Sequence, residues 1–132
     1  MNEEIKAAYV SKAAAKLNHR VAEIREKQIP TKEDRAYLFE WLLSYAMAYE
    51  QECESDTIQT YDDALCERKV LMYLGFLKTR CTRFAQNNNC DYMDALLEAQ
   101  MEVIFRPYFA DFLALLSSQT DLTQLAVYLF ID

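Results

Sequence analysis

The sequence predicts an all-α fold: a bundle of four long helices plus a short C-terminal helix, mostly antiparallel, forming a single domain over residues 1–132. Three observations lead there. The chain holds one Gly and two Pro, against ordinary usage of about 7% and 5%; hairpins and tight turns need the positive φ that glycine reaches without steric cost. Apolar residues recur at three- and four-residue spacing along most of the length. Residues 36–49 are apolar or aromatic except for Glu40 and Ser44, which lie four apart on one narrow strip of a helix. A helix apolar in every other direction must be wrapped by neighbours, so this segment is the expected centre of the bundle, with Trp41 and Leu42 buried.

The first helix is expected over residues 2–28. Val10, Ala14, Leu17, Val21 and Ile24 follow a heptad spacing, and the far face collects Lys12, Lys16, His19, Arg20 and Lys27 with Tyr9 among them. Pro30 should stop this helix, because the residue before a proline avoids the α region. Thr31 is placed to cap a second helix over about residues 32–53, with Glu33 and Asp34 in its first turn where the dipole favours anions. Residues 54–60 form the polar connection.

Thr60 is expected to cap a third helix whose apolar face is Cys66, Val70, Tyr73, Leu74, Leu77, Cys81 and Phe84. Gly75 inside it either admits a close neighbour or is merely tolerated, at about 1 kcal/mol against Ala. Asn87 to Asn89 read as a loop, since Asn tolerates left-handed geometry. A fourth helix begins near Asp91 with Met93, Leu96, Leu97, Val103 and Ile104 on its buried side. Pro107 removes a donor in mid-pattern and predicts a kink or break near Phe105, after which Tyr108, Phe109, Phe112, Leu113, Leu115 and Leu116 resume the pattern. The tail, residues 121–132, is read as the short helix; its Val127 to Ile131 run has strand composition but nothing to pair with.

Chemistry-bearing motifs are absent from the sequence. A Gly-rich phosphate loop cannot be built from one glycine. His19 is the single histidine, which excludes the paired Glu-x-x-His set of di-iron bundles and a two-Cys, two-His zinc site. The cysteines, at 53, 66, 81 and 90, form no Cys-x-x-Cys. Cys66 and Cys81 sit on one helix about 22 Å apart, so they share neither a metal nor a bridge. Local bridges Cys53–Cys66 and Cys81–Cys90 are conceivable; free buried thiols are the favoured reading. No serine has a second histidine or a strained elbow to activate it. No catalytic residue, metal ligand or cofactor is therefore assigned.

The longest uncharged runs, Trp41–Tyr49 and Leu122–Ile131, fall short of the ~20 residues a membrane span needs. The N-terminus lacks the basic-then-apolar order of a secretory signal, so a cytoplasmic location, of the source cell or of a host, is expected. Net charge is −7. Residues 1–35 carry eight bases and six acids, whereas residues 36–132 carry six bases and fifteen acids.

Two charged surfaces follow. Between Ala36 and Glu67 there are eight acids and no base, and Glu50, Glu52, Glu54, Asp56, Asp62 and Asp63 bracket the second loop as an acidic tip. That tip, with exposed aromatics, points to a non-enzymatic protein–protein interaction module (an inhibitor, adaptor or chaperone) binding a partner with a basic surface. The alternative surface is the basic face Lys12, Lys16, Arg20 and Lys27. It fits a nucleic-acid accessory role, a weak footprint that Glu23 and Glu26 dilute, or docking of an acidic partner, another copy of the chain included. A small-molecule enzyme or ligand-binding bundle is the third class; it requires a polar pocket among the helices.

Overall fold

The computed structural model describes residues 3–27, 31–55 and 60–121. Among them are five helices, α1 Glu3–Arg25, α2 Lys32–Glu54, α3 Asp63–Asn88, α4 Tyr92–Ile104 and α5 Phe109–Leu116, and no strand. The stop expected at Pro30 and the short helix expected over the tail lie outside the described residues, apart from Asp121.

Caps set most of the boundaries. Thr31 accepts a hydrogen bond from the Asp34 backbone N–H, and Asp34 accepts one from the Thr31 N–H, a reciprocal capping box that starts α2. α3 begins later than expected: Asp62, not Thr60, is its cap, accepting from the Leu65 N–H. α3 also runs through the first two asparagines of the expected loop. It ends at Asn89, which takes the left-handed conformation at φ 52°, where Asn is tolerated better than most residues. Asp91 caps α4. Pro107 produces a full break: α4 ends at Ile104 with Phe105 as its C-cap, and the apolar pattern restarts as the eight-residue α5. The fourth long helix of the sequence reading is thus two helices, α4 and α5.

The position of α2 decides the architecture. It packs against α1, α3, α4 and α5, and Leu38, Phe39, Leu42, Leu43, Ala48 and Tyr49 are all buried. One continuous apolar cluster draws on all five helices. Alanines 13 and 14 on α1 are buried in it, small enough to let that helix approach closely. Trp41 departs from expectation: it is only partly buried, packed against the core at its edge. Leu97 is another departure, 41% exposed on the outer side of α4. Gly75 meets nothing within 4 Å of where a Cβ would stand, so it is a tolerated glycine and not a close crossing.

The polar strip of α2 does not face water. Ser44 is buried and its hydroxyl donates to the Glu40 carbonyl oxygen at 2.6 Å. The Glu40 carboxylate accepts from the Tyr92 hydroxyl at 2.9 Å and lies 3.7 Å from Lys78. Asp34, 1% exposed, accepts from Arg20 and Lys27 of the first segment, each at 3.0 Å. Glu40 thus ties α2 to α4 and α3, and Asp34 ties it to the first segment.

Asp34 gives the fold an acid-sensitive joint. Burial alone would lift its carboxyl, but hydrogen bonds from Thr31 and the Lys27 ammonium outweigh that and hold it below its ordinary value of 3.8. A depressed carboxyl contributes stability that is full above the unfolded value and disappears as pH falls through the folded one. Unfolding free energy should therefore decline as pH drops below about 4. Asp34→Asn should flatten that acid limb while lowering stability at neutral pH by about 1.5–3 kcal/mol, the range for hydrogen bonds to charged groups. Urea titrations across the acid range check both slopes.

Candidate functional site

The acidic tip is not assembled as an exposed knob. Glu52 is 2% exposed, accepting from the Tyr9 hydroxyl at 3.0 Å and the Lys69 ammonium at 2.8 Å. Glu50 is buried and paired with Arg106 at 3.0 Å. Asp63 is paired with Lys12 at 2.8 Å, and Asp62 is spent on capping α3. Asp56 lies outside the described residues. Glu54 and Asp62 are exposed with no base against them among the described residues. The correction has a physical reason. Acids on a helix that becomes the centre of a bundle turn inward wherever a neighbour supplies a base, and Lys69 and Arg106 stand 17 and 56 residues away in the chain.

The basic face is largely neutralised in the same way. Lys12 is held by Asp63, and Arg20 and Lys27 by Asp34, with Glu23 also on Arg20. His19 contacts Glu23 at 2.8 Å. Tyr9, expected among these cations, is 2% exposed and belongs to the core; burial and the neighbouring Glu52 push its hydroxyl well above the usual range. Lys16 has no carboxylate partner among the described residues. Its ammonium instead lies over the Trp41 ring, 4.2 Å from the centroid, and 5.8 Å from that of Tyr37.

These residues border a groove of about 320 Å³ between α1 and α3, with α2 as its floor. Lys12, Ala15, Lys16 and His19 form one wall, Glu67, Val70 and Leu71 the other, and Trp41 and Tyr45 the floor. Tyr37, Trp41 and Tyr45 follow one another at four-residue spacing, with neighbouring ring centroids 5.8 and 6.1 Å apart. Arg20 lies over Tyr37 at 4.4 Å and closes the row at one end. Leu71 is 54% exposed on the opposite lip. Tyr45 is the most buried of the three rings at 6% exposed, and that burial raises its hydroxyl to about 12.

That spacing was readable in the sequence as i, i+4, i+8. Periodicity alone assigns it to the core, because an aromatic row on an apolar helix is core in most proteins; only the gap between α1 and α3 leaves Trp41 partly open.

Nothing in the groove resembles a nucleophile–base pair. The four cysteines are free thiols; burial raises Cys66, and Cys81 to about 11, so both are protonated and inert at neutral pH. Among the described residues no three of His, Cys, Asp and Glu gather in a way that could hold a metal ion. No helix among them is long and apolar enough to cross a membrane. Comparison with protein-family models, with curated proteins and with solved structures found no match.

Proposed function

We propose that this chain is a non-enzymatic protein–protein interaction module whose recognition surface is the groove between α1 and α3. The observation that carries this reading is the partly open aromatic row: Trp41 is only partly buried, Leu71 stands on the lip, and Lys16 lies above the ring with no carboxylate partner among the described residues. An apolar floor under an unneutralised cation suits a partner segment that offers an apolar side chain and a carboxylate together. The sign is opposite to that of the partner expected from the acidic tip, of which Glu50 and Glu52 are paired inside the bundle and Asp63 is paired with Lys12. The order of the pairs Arg20–Asp34, Tyr9–Glu52, Lys69–Glu52 and Lys78–Glu40 supports a mostly antiparallel run of α1, α2 and α3.

Trp41 is the single tryptophan, so intrinsic fluorescence reports directly on the groove floor. A partner isolated on the immobilised chain and then purified should shift Trp41 emission saturably. Leu71→Glu and Lys16→Glu should each weaken that binding about tenfold or more, about 1.4 kcal/mol, without moving the melting temperature of the free chain. The reading fails if both variants bind the purified partner as tightly as wild type. It also fails if single-stranded nucleic acid, and no protein, shifts the emission.

A further inference from the structure

The outer side of α3 and α4, away from that groove, carries a second surface. Met72 and Phe76 on α3, Leu97 and Met101 on α4, and Phe105 just after it are 41–77% exposed. Phe105 and Phe76 are the most open, at 77% and 63%. So much large apolar side chain in one region marks an interaction site more often than idle surface.

The charges around it are sorted by helix. Arg68 and Arg80 continue the four-residue spacing of Met72 and Phe76 on α3, Arg83 follows one turn later, and the other two bases of that stretch, Lys69 and Lys78, are turned to Glu52 and Glu40 of α2; α4 carries Asp94, Glu98 and Glu102 and no base. Arg80 and Glu102 pair across the seam. Arg83 and Glu98, one turn further along the same seam, have no ion-pair partner among the described residues.

We infer that this face joins two copies of the chain in a two-fold symmetric dimer, with α3 of each copy lying over α4 of the other. The charge pattern selects both the occupant and the symmetry axis. Within one chain Arg80 stands beside Glu102, and Phe84 and Glu98 border the same small cleft. Level with Phe76, one turn before Arg80, is therefore Phe105, just beyond Glu102. A two-fold axis running along the seam exchanges the helices at constant level. It brings Arg83 of each copy to Glu98 of the other, and Phe76 of each to Phe105 of the other. An axis across the helices would instead stack α3 on α3, base on base, and α4 on α4, acid on acid. A foreign partner would have to match a basic row and an acidic row side by side; a second copy does so by symmetry.

The test is sedimentation equilibrium of the full chain over a concentration series. Wild type should approach twice the 15.5 kDa chain mass, and added salt should favour the monomer because the paired charges are solvent-screened. Arg83→Glu alone and Glu98→Arg alone should each weaken the dimer at least tenfold. The double variant carrying both changes should recover it to within a few fold. Mixing the two single variants should give heterodimers where neither alone dimerises, since opposite charges then meet at both contacts. Phe105→Ser should also loosen the dimer, with circular dichroism unchanged because the ring is exposed. Wild type sedimenting as a 15.5 kDa monomer throughout overturns the inference. So does a dimer indifferent to the single changes, or one that the double change in a folded chain fails to restore. The groove of the first reading takes no part in these outcomes, so each proposal stands or falls alone.

Discussion

Glu52→Ala is expected to lower the unfolding free energy by about 3–5 kcal/mol, the cost of stranding the partner of a buried ion pair. The carboxylate is 2% exposed and holds two groups from two helices: the Lys69 ammonium of α3, itself 14% exposed, and the Tyr9 hydroxyl of α1. Removing it leaves a sheltered positive charge without its counter-ion and a buried hydroxyl without its acceptor, each costly in a low-dielectric setting. Glu52→Gln keeps an acceptor for Tyr9 and should lose less. The companion Glu52→Leu with Lys69→Met removes both charges at once and should recover much of the loss, since well-packed apolar replacements of buried pairs are often neutral. Urea denaturation of the three variants measures this directly. A loss below about 1 kcal/mol for Glu52→Ala, the scale of a solvated surface pair, would show that the acids of α2 are not interior fasteners.

Phe112→Ala is expected to cost about 3–5 kcal/mol, through lost transfer energy and the cavity left behind. Phe112 is fully buried, and its ring packs against that of Tyr49 at a centroid distance of 5.4 Å. α5 has only eight residues, too short to be stable alone. It depends on Phe109, Phe112 and Leu116, all buried, and on the hydrogen bond from the Tyr49 hydroxyl to Asp111. The loss should therefore appear locally as well as globally, with the α5 amides losing hydrogen-exchange protection before those of α2. Equal loss of protection in α2 and α5 would mean that α5 is part of the central cooperative unit and not an appended element.

The helical elements were legible because their causes are local. Thr31 with Asp34 writes the start of α2, Asp91 the start of α4, and Pro107 the break before α5, each through groups within a few residues of one another. The centrality of α2 was legible for the same reason: few polar residues in 36–49 leave no side of that helix suited to water. Boundaries slipped where two local signals competed, as with Thr60 against Asp62, and with the asparagines that the helix runs through until Asn89 turns left-handed.

Sequence alone thus determined the all-helical class, the central helix and the absence of any recognisable catalytic motif, all consequences of composition and short-range spacing. Tertiary structure alone decided what the charges do. A carboxylate at position 52 reads the same in sequence whether it faces water or a lysine, and its burial depends on where Lys69 and Tyr9 arrive after folding. Exposure of Trp41, Leu97 and Phe105 was decided in the same way. Periodicity assigns a residue to a helix face, but only the packing of all the helices determines which faces are covered and which are left open.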